Sequence, residues 1–307
     1  MQRRSIIRGT LAAGAAAALA VGLTACSVES EDGGDSDSEE IDFGLPEGEG
    51  DITIGVIPGW DEGVVTTEMW NQALTSAGYD VTVQEISEAG VLYEALATGG
   101  VDFFLDGWLP ITHATYMDEY GDQLENLGTW NENAALTVAV PTYVDVDSLT
   151  ELNDNADLFG GEIIGIEPSA GLTEAVQDNA MPTYGMDDLT LKTSSTGSML
   201  AELDSAIAAE EPIVVTLWQP HWAYAKYDLK NLEDPELTLG ETETISTFAR
   251  LGFSDEFADV AEALGNFAMS DDDLAGLEQV VFDDHDGDVE KGVNAWLQDN
   301  SFKDLTS

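Results

Sequence analysis

An α/β fold of two lobes is what the sequence predicts, and three observations predict it. Strand-like apolar runs alternate with helical stretches of about ten to fifteen residues, the pattern of parallel βαβ units. The alternation runs from Asp51 to Pro141 and starts again beyond it. The stretch from residue 51 to residue 307 exceeds the commonest single-domain size, which favours division into two bodies.

The elements follow in order. DITIGVI from Asp51 is a strand, Val64 to Ala77 a helix, and Tyr79 to Val83 begins a second strand. Ser87 to Thr98 is a helix closed by Gly99-Gly100, and VDFFLD from Val101 is a third strand. LTVAV at Leu136–Val140 is a strand that stops at Pro141, followed by a helix around Leu149 to Phe159. The strand EIIGI, a helix opening near Gly171, a strand near Leu189, a helix from Ser198 to Ala209 and the strand PIVVTLW from Pro212 complete the second series. Ser254 to Ser301 is mostly helical by pattern. The expected lobes are residues 51–140 with 246–307, and residues 141–245. The chain crosses near Val140–Tyr143 and returns near Thr238–Thr247.

The N-terminal 26 residues read as an export signal. Arg3, Arg4 and Arg8 form a basic head, Gly9 to Leu23 is an apolar, Ala-rich stretch, and Leu23-Thr24-Ala25-Cys26 has the form of a lipobox. Arg3-Arg4-Ser5-Ile6-Ile7 also resembles a twin-arginine signal, so the export route stays open. Cys26 is then a lipid anchor on the outer face of the cytoplasmic membrane, and as the one cysteine of the chain it has no disulfide partner. Residues 27–50, rich in Ser, Asp, Glu and Gly, read as an acidic disordered tether.

The chain carries 61 Asp and Glu against 9 Lys and Arg, a net charge of −52. Nucleic acid and anionic lipid both need a basic surface, so neither is a partner. Dense surface carboxylates keep a protein hydrated in strong salt, which points to a salt-adapted source and says nothing of a ligand.

Three tryptophan motifs carry the chemistry: GWDE at Gly59–Glu62, GWLP at Gly107–Pro110 and WQPHW at Trp218–Trp222. Each sets an indole beside a turn residue at the end of a strand, where ligands of open α/β sheets bind. A lone Trp most often fills a core. Three in matching contexts suggest an aromatic cage for a quaternary ammonium group, which offers no hydrogen bonds and is held by ring faces. Trp60 and Trp108 fall in one expected lobe and Trp218 in the other, so the cage is complete only on closure. Trp70, Trp130 and Trp296 read as structural, and Trp222 is undecided between wall and buttress. His113, in GWLPITH, sits where a histidine can donate to an anion beside the cage. His221 could do the same or simply support its loop. Glu167 to Leu172 opens a helix after a strand; free backbone amides at a helix start are a ready anion site, and Gly171 lets a ligand approach the backbone closely. A cation cage plus an anion site describes a zwitterion.

Catalysis finds no support. The folded part has no thiol, no GxSxG elbow, no HExxH and no phosphate loop, and acidic pairs such as Asp61-Glu62 are uninformative among so many carboxylates. The run DDHDGD around His285 lacks calcium-loop spacing, so neither metal nor cofactor is expected.

GWDE, ALATGGVDFFLDGWLPITH, VAVPTYV, IGIEPSAG and the long block SSTGSMLAELDSAIAAEEPIVVTLWQPHWAYAKYDLKNLEDP resemble the glycine betaine-binding proteins of osmoprotectant ABC importers over nearly the whole folded chain. The resemblance implies a two-lobed, type II periplasmic-binding-protein-like α/β fold with a central ligand cleft. It implies a cage of Trp60, Trp108 and Trp218, with the ligand carboxylate held by the His113 side chain and the amides of Gly171 and Leu172. Some relatives place an aromatic immediately before the glycine of the Gly171 turn. This chain has Ala170 there, so the third wall falls to Trp60. The implied role is an extracytoplasmic solute receptor, with no chemistry of its own, that serves an ABC permease. A choline or carnitine receptor, or a quaternary-amine sensor for a signalling partner, is the alternative.

Overall fold

The computed structural model describes residues 41–307, and the export signal, Cys26 and residues 27–40 lie outside the described residues. Nine strands form one strongly curled mixed sheet: β1 Asp51–Val56, β2 Asp80–Glu85, β3 Phe103–Leu109, β4 Leu124–Pro141, β5 Glu162–Ile164, β6 Thr190–Lys192, β7 Val215–Gln219, β8 Leu229–Asn231 and β9 Glu243–Arg250. Their spatial order is β2-β1-β3-β9-β4-β7-β5-β6, with β8 beside β4.

The expected βαβ units are present where the alternation was clearest. β1 runs parallel to β2 from Asp51 opposite Asp80 to Val56 opposite Glu85, and parallel to β3. In the second series β5 runs parallel to β6 and to β7. Helices Asp61–Ser76, Ala89–Thr98 and Thr196–Ala208 make connections within these series. β3 is buried along almost its whole length, as a central strand of a covered sheet should be.

Two long antiparallel strands join the series, and the sequence pattern missed most of both. β4 has 18 residues, of which only Leu136–Val140 reads as a strand by apolar alternation. Its first part, Leu124 to Ala134, pairs with β9 through three register shifts, and Ala135 to Ala139 pairs with β7. The partner therefore changes at Ala134–Ala135, inside a strand, whereas the pattern placed the crossing near Val140–Tyr143. Each shift breaks the period of two on which strand recognition rests. β9 pairs with both β3 and β4 and lies where the return crossing was expected.

The helix expected at Leu149 to Phe159 is two 3₁₀ segments, Leu149–Glu151 and Asn153–Phe159. From Phe253 the chain is helical almost to Asp299, in line with the pattern. Residues 41–50, expected in the tether, lie instead against the body. Phe43 is buried and meets Phe302 edge to face at 5.4 Å, and the Gly48 amide donates to the Ala77 carbonyl. One aromatic with a waiting partner orders a short segment whose acidic composition reads as disorder. Among the described residues no helix is long and apolar enough to cross a membrane.

Candidate functional site

Trp60, Trp108, His113, Gly171, Leu172 and Trp218, the six predicted site residues, line one cavity of about 30 Å³. The walls are mainly apolar. Glu62, Thr112, Leu136, Ile166 and Ala170 complete the lining.

The indoles reach it in different ways. Gly59, at φ +89°, turns the chain after β1, and Trp60 then caps helix Asp61–Ser76. Trp108 and Trp218 are the penultimate residues of β3 and β7, inside the strands and not in the loops beyond them. All three are buried. Trp222 lies outside the cavity, against Phe282, with the Lys226 ammonium 5.3 Å from its ring centre. His221 stands edge-on behind Trp218 at 4.7 Å. Both act as buttresses. Trp70 and Trp130 pack against Phe267 in the core, where Trp130 also donates to the Leu105 carbonyl.

His113 is a prepared donor. Its Nδ1 accepts from the Trp108 amide at 2.9 Å and faces the Tyr93 hydroxyl at 3.1 Å, which assigns the ring proton to Nε2. Burial pulls its pKa down from the ordinary 6.5 to about 3, so the ring is neutral at physiological pH. Nε2 is buried and has no partner among the described residues, an arrangement that calls for an acceptor. The ring stacks on Trp60, 5.4 Å between centres and 12° between planes. His113 thus touches Trp60 and brings a polar group to the cavity wall.

The loop carrying His113 is clamped by Glu243 of β9, whose carboxylate accepts from the amides of Ile111 at 2.5 Å and Thr112 at 2.8 Å and from the Thr112 hydroxyl. Opposite it, Gly171 and Leu172 open a helix, so their amides have no partner within it. A side chain on Gly171 would overlap the Thr112 carbonyl across the cleft. The Tyr116 hydroxyl also spans the cleft, donating to the Ser169 carbonyl at 2.8 Å. Gly171→Ala should therefore hinder closure, raising the Kd for every ligand of the cleft at least about tenfold while leaving the ligand-free melting temperature near that of the wild type. Titration calorimetry with a calorimetric melt measures both.

Beside these indoles lie carboxyl groups that sequence reasoning passed over. The Trp108 indole N–H donates to Asp106 at 2.7 Å, that of Trp218 to Glu62 at 2.9 Å and that of Trp222 to Asp61 at 2.5 Å. These three acids and Glu278 are buried. Burial pushes Asp61 and Asp106 up to about 7, and it raises Glu62 and Glu278 well above the carboxylate range, helped by neighbouring acids. The one available signal was Asp106 itself, a charge inside the apolar strand FFLDGWL. No group of three or more metal-ligating side chains with suitable geometry occurs among the described residues.

A family described as the substrate-binding domain of ABC-type glycine betaine transport systems matches residues 50–299. The glycine betaine/carnitine transport binding protein GbuC of Listeria monocytogenes is 38% identical over 144 residues, which cover 46% of this chain. The match spans 47% of that relative's length. Among solved structures, lactococcal OpuAC in a closed complex with glycine betaine is 30% identical with a TM-score of 0.76, covering 84% of this chain and 99% of that one. The glycine/betaine/L-proline-binding protein ProX from Borrelia burgdorferi has a TM-score of 0.76 at 28% identity, covering 84% and 100%. A choline-binding protein of an ABC transporter, in complex with choline, has a TM-score of 0.75 at 25% identity, covering 81% and 88%.

Proposed function

The chain belongs to the family of substrate-binding domains of ABC-type glycine betaine transport systems, and on that premise we propose that it captures glycine betaine or a close relative for import through an ABC permease. The family serves transport and is not one of enzymes. In this reading the trimethylammonium group sits among Trp60, Trp108 and Trp218, and the carboxylate meets His113 Nε2–H and the amides of Gly171 and Leu172. The proposed lobes are those expected from the sequence, residues 51–140 with 246–307 and residues 141–245, with the first crossing moved to Ala134–Ala135, where β4 changes partner. Lipidated Cys26 would hold the receptor at the outer face of the membrane, in keeping with the extracytoplasmic place of such receptors.

One observation carries the reading. A single small cavity is lined by three indoles and by a buried, neutral imidazole, stacked on one of them, whose Nε2–H lacks an acceptor among the described residues. A cation alone leaves that donor unused; a zwitterion uses both ends. Desolvated cation–π contacts contribute about 1–2 kcal/mol per ring, and hydrogen bonds to a charged acceptor about 1.5–3 kcal/mol each. Micromolar affinity, roughly 8 kcal/mol, is within reach of that set. Glu62 at the cavity wall supports choline as the second reading, since a carboxyl oxygen accepts from a hydroxyl.

Titration calorimetry with glycine betaine, proline betaine, carnitine and choline tests the proposal. Glycine betaine should bind in the micromolar range and more tightly than choline. The reverse order would make this a choline receptor, and no heat with any quaternary amine would remove the cage.

A further inference from the structure

Two buried glutamates hold the two loops that meet across the cavity, and both use the same arrangement of bonds. Strand β9 sets Glu243 opposite Ala134 and its neighbour Thr244 opposite Leu109, where β3 gives way to the loop bearing His113. Glu243 Oε1 accepts from the amides of Ile111 and Thr112, and Oε2 from the Thr112 hydroxyl. On the second loop, Glu167 follows β5 and Ile166, a residue of the cavity wall. Its Oε1 accepts from the Thr196 amide at 2.8 Å and its Oε2 from the Thr196 hydroxyl at 2.9 Å, at the start of helix Thr196–Ala208. The Ala170 amide donates back to the Glu167 carbonyl at 3.1 Å, so a single tight turn leads from the anchored glutamate to Gly171.

On the betaine reading, we infer that Glu243 and Glu167 are positioning residues for the ligand carboxylate: Glu243 aims His113 Nε2–H, Glu167 places the Gly171 turn, and together they set the gap that a carboxylate must fit.

The gap leaves little tolerance. A Cβ built on Gly171 falls 2.1 Å from the Thr112 carbonyl oxygen, and the Tyr116 hydroxyl donates to the Ser169 carbonyl at 2.8 Å, so the two loops are in direct contact. Donors of a binding site act only when their supports hold them to within about half an ångström. The Trp108 backbone ties His113 at Nδ1 and at its own amide, 2.9 and 3.1 Å away, but the amides of Ile111 and Thr112 are left to Glu243. Without that carboxylate the loop must shift to satisfy them with water or new partners. Neither glutamate lines the cavity, so each acts on the ligand through the loop it holds. The indoles stand apart from both loops. They come from the cap of helix Asp61–Ser76 and from within β3 and β7. A ligand with a quaternary ammonium group and no carboxylate should therefore be nearly indifferent to either glutamate.

Substitution separates geometry from charge. In Glu243→Gln the amide oxygen keeps both backbone donors, and the amide N–H₂ donates to the Thr112 hydroxyl, which turns to accept. Glu167→Gln makes the same exchange at Thr196. Glu243→Ala and Glu167→Ala remove the acceptors. Glycine betaine is titrated into the full chain by calorimetry, and choline is measured by displacement of glycine betaine. Each alanine variant should weaken glycine betaine at least about tenfold and choline by less than about threefold. Both glutamine variants should stay within about threefold of the wild type for both ligands. If an alanine variant does not fold by near-ultraviolet circular dichroism, Glu243→Asp or Glu167→Asp takes its place. Aspartate keeps the charge, falls one methylene short of the loop's donors and should show the same selective loss. Equal losses for the two ligands, no loss for either, or a glutamine loss as large as that of alanine overturns the inference and leaves betaine binding intact. A wild type that does not bind glycine betaine overturns the betaine reading and the inference together.

Discussion

Trp218→Ala should raise the Kd for glycine betaine by about 100-fold or more. The side chain contributes twice. In the proposed cage its face is one wall, worth about 1–2 kcal/mol to a desolvated quaternary cation. Its indole N–H satisfies Glu62 across the cleft at 2.9 Å. Removing that donor leaves a buried carboxyl short of a partner, a further cost of about 1–3 kcal/mol in the closed state. Together these reach about 3 kcal/mol, or two orders of magnitude in Kd. Trp218→Phe separates the terms, since it keeps a ring face and loses the N–H, and it should fall between the two at about tenfold. Trp218 is buried in β7, so the alanine variant also loses core packing, with a cost of about 3–5 kcal/mol to the fold. Titration at low temperature, with a near-ultraviolet circular dichroism spectrum as the folding check, keeps the two effects apart. An alanine variant that folds and binds within about threefold of the wild type would remove Trp218 from the cage.

The parts of the site legible in the sequence are those built from rare residues. Seven tryptophans and three histidines in 307 residues leave few ways to combine them, and strand-end contexts pick out Trp60, Trp108, Trp218 and His113. Gly171 and Leu172 were legible because a strand followed by a glycine-led helix is a recognisable turn. The carboxyls that hold these groups were hidden by their own abundance. Among 61 acidic residues, Asp61, Glu62, Asp106, Glu243 and Glu278 differ from the rest only in being buried, a property created by the fold. Asp106 within FFLDGWL was the exception that could have been read.

The fold shows the same division. β1 and β3 announce themselves through apolar runs closed by Pro58 and Pro110, and β2 through the alternation that begins at Tyr79. β4 and β9 pair across a change of partner, and in β4 the register shifts at Asn126/Gly128, Thr129/Asn131 and Asn131/Ala134 scatter the apolar positions between faces. No window of fixed period finds such a strand. Residues 41–50 hide for another reason: Phe43 is a single apolar signal among Gly and acids, and its worth depends on Phe302 near the far end of the chain.

His113 decides between a betaine and a simple cation, and His113→Phe is the sharpest test of it. Phenylalanine keeps a ring to stack on Trp60, where the imidazole lies at 5.4 Å and 12°, and removes the Nε2–H. A hydrogen bond from that donor to a carboxylate is worth about 1.5–3 kcal/mol, so glycine betaine affinity should fall by about 10- to 100-fold. Choline, which has no carboxylate, should keep its affinity within about threefold. The pH dependence gives an independent check on the role. Burial lowers the His113 pKa from 6.5 to about 3, so the neutral ring is the form that favours the folded, closed state. Its contribution is complete above 6.5 and is lost as pH falls towards 3. From pH 7 upwards the ratio of variant to wild-type Kd for glycine betaine should be constant, because His113 does not titrate there and the buried acids Asp61, Glu62, Asp106 and Glu278 are common to both proteins. Equal losses for betaine and choline would assign His113 to supporting Trp60. A Kd ratio that changes between pH 7 and pH 9 would mean that His113 is charged when it binds.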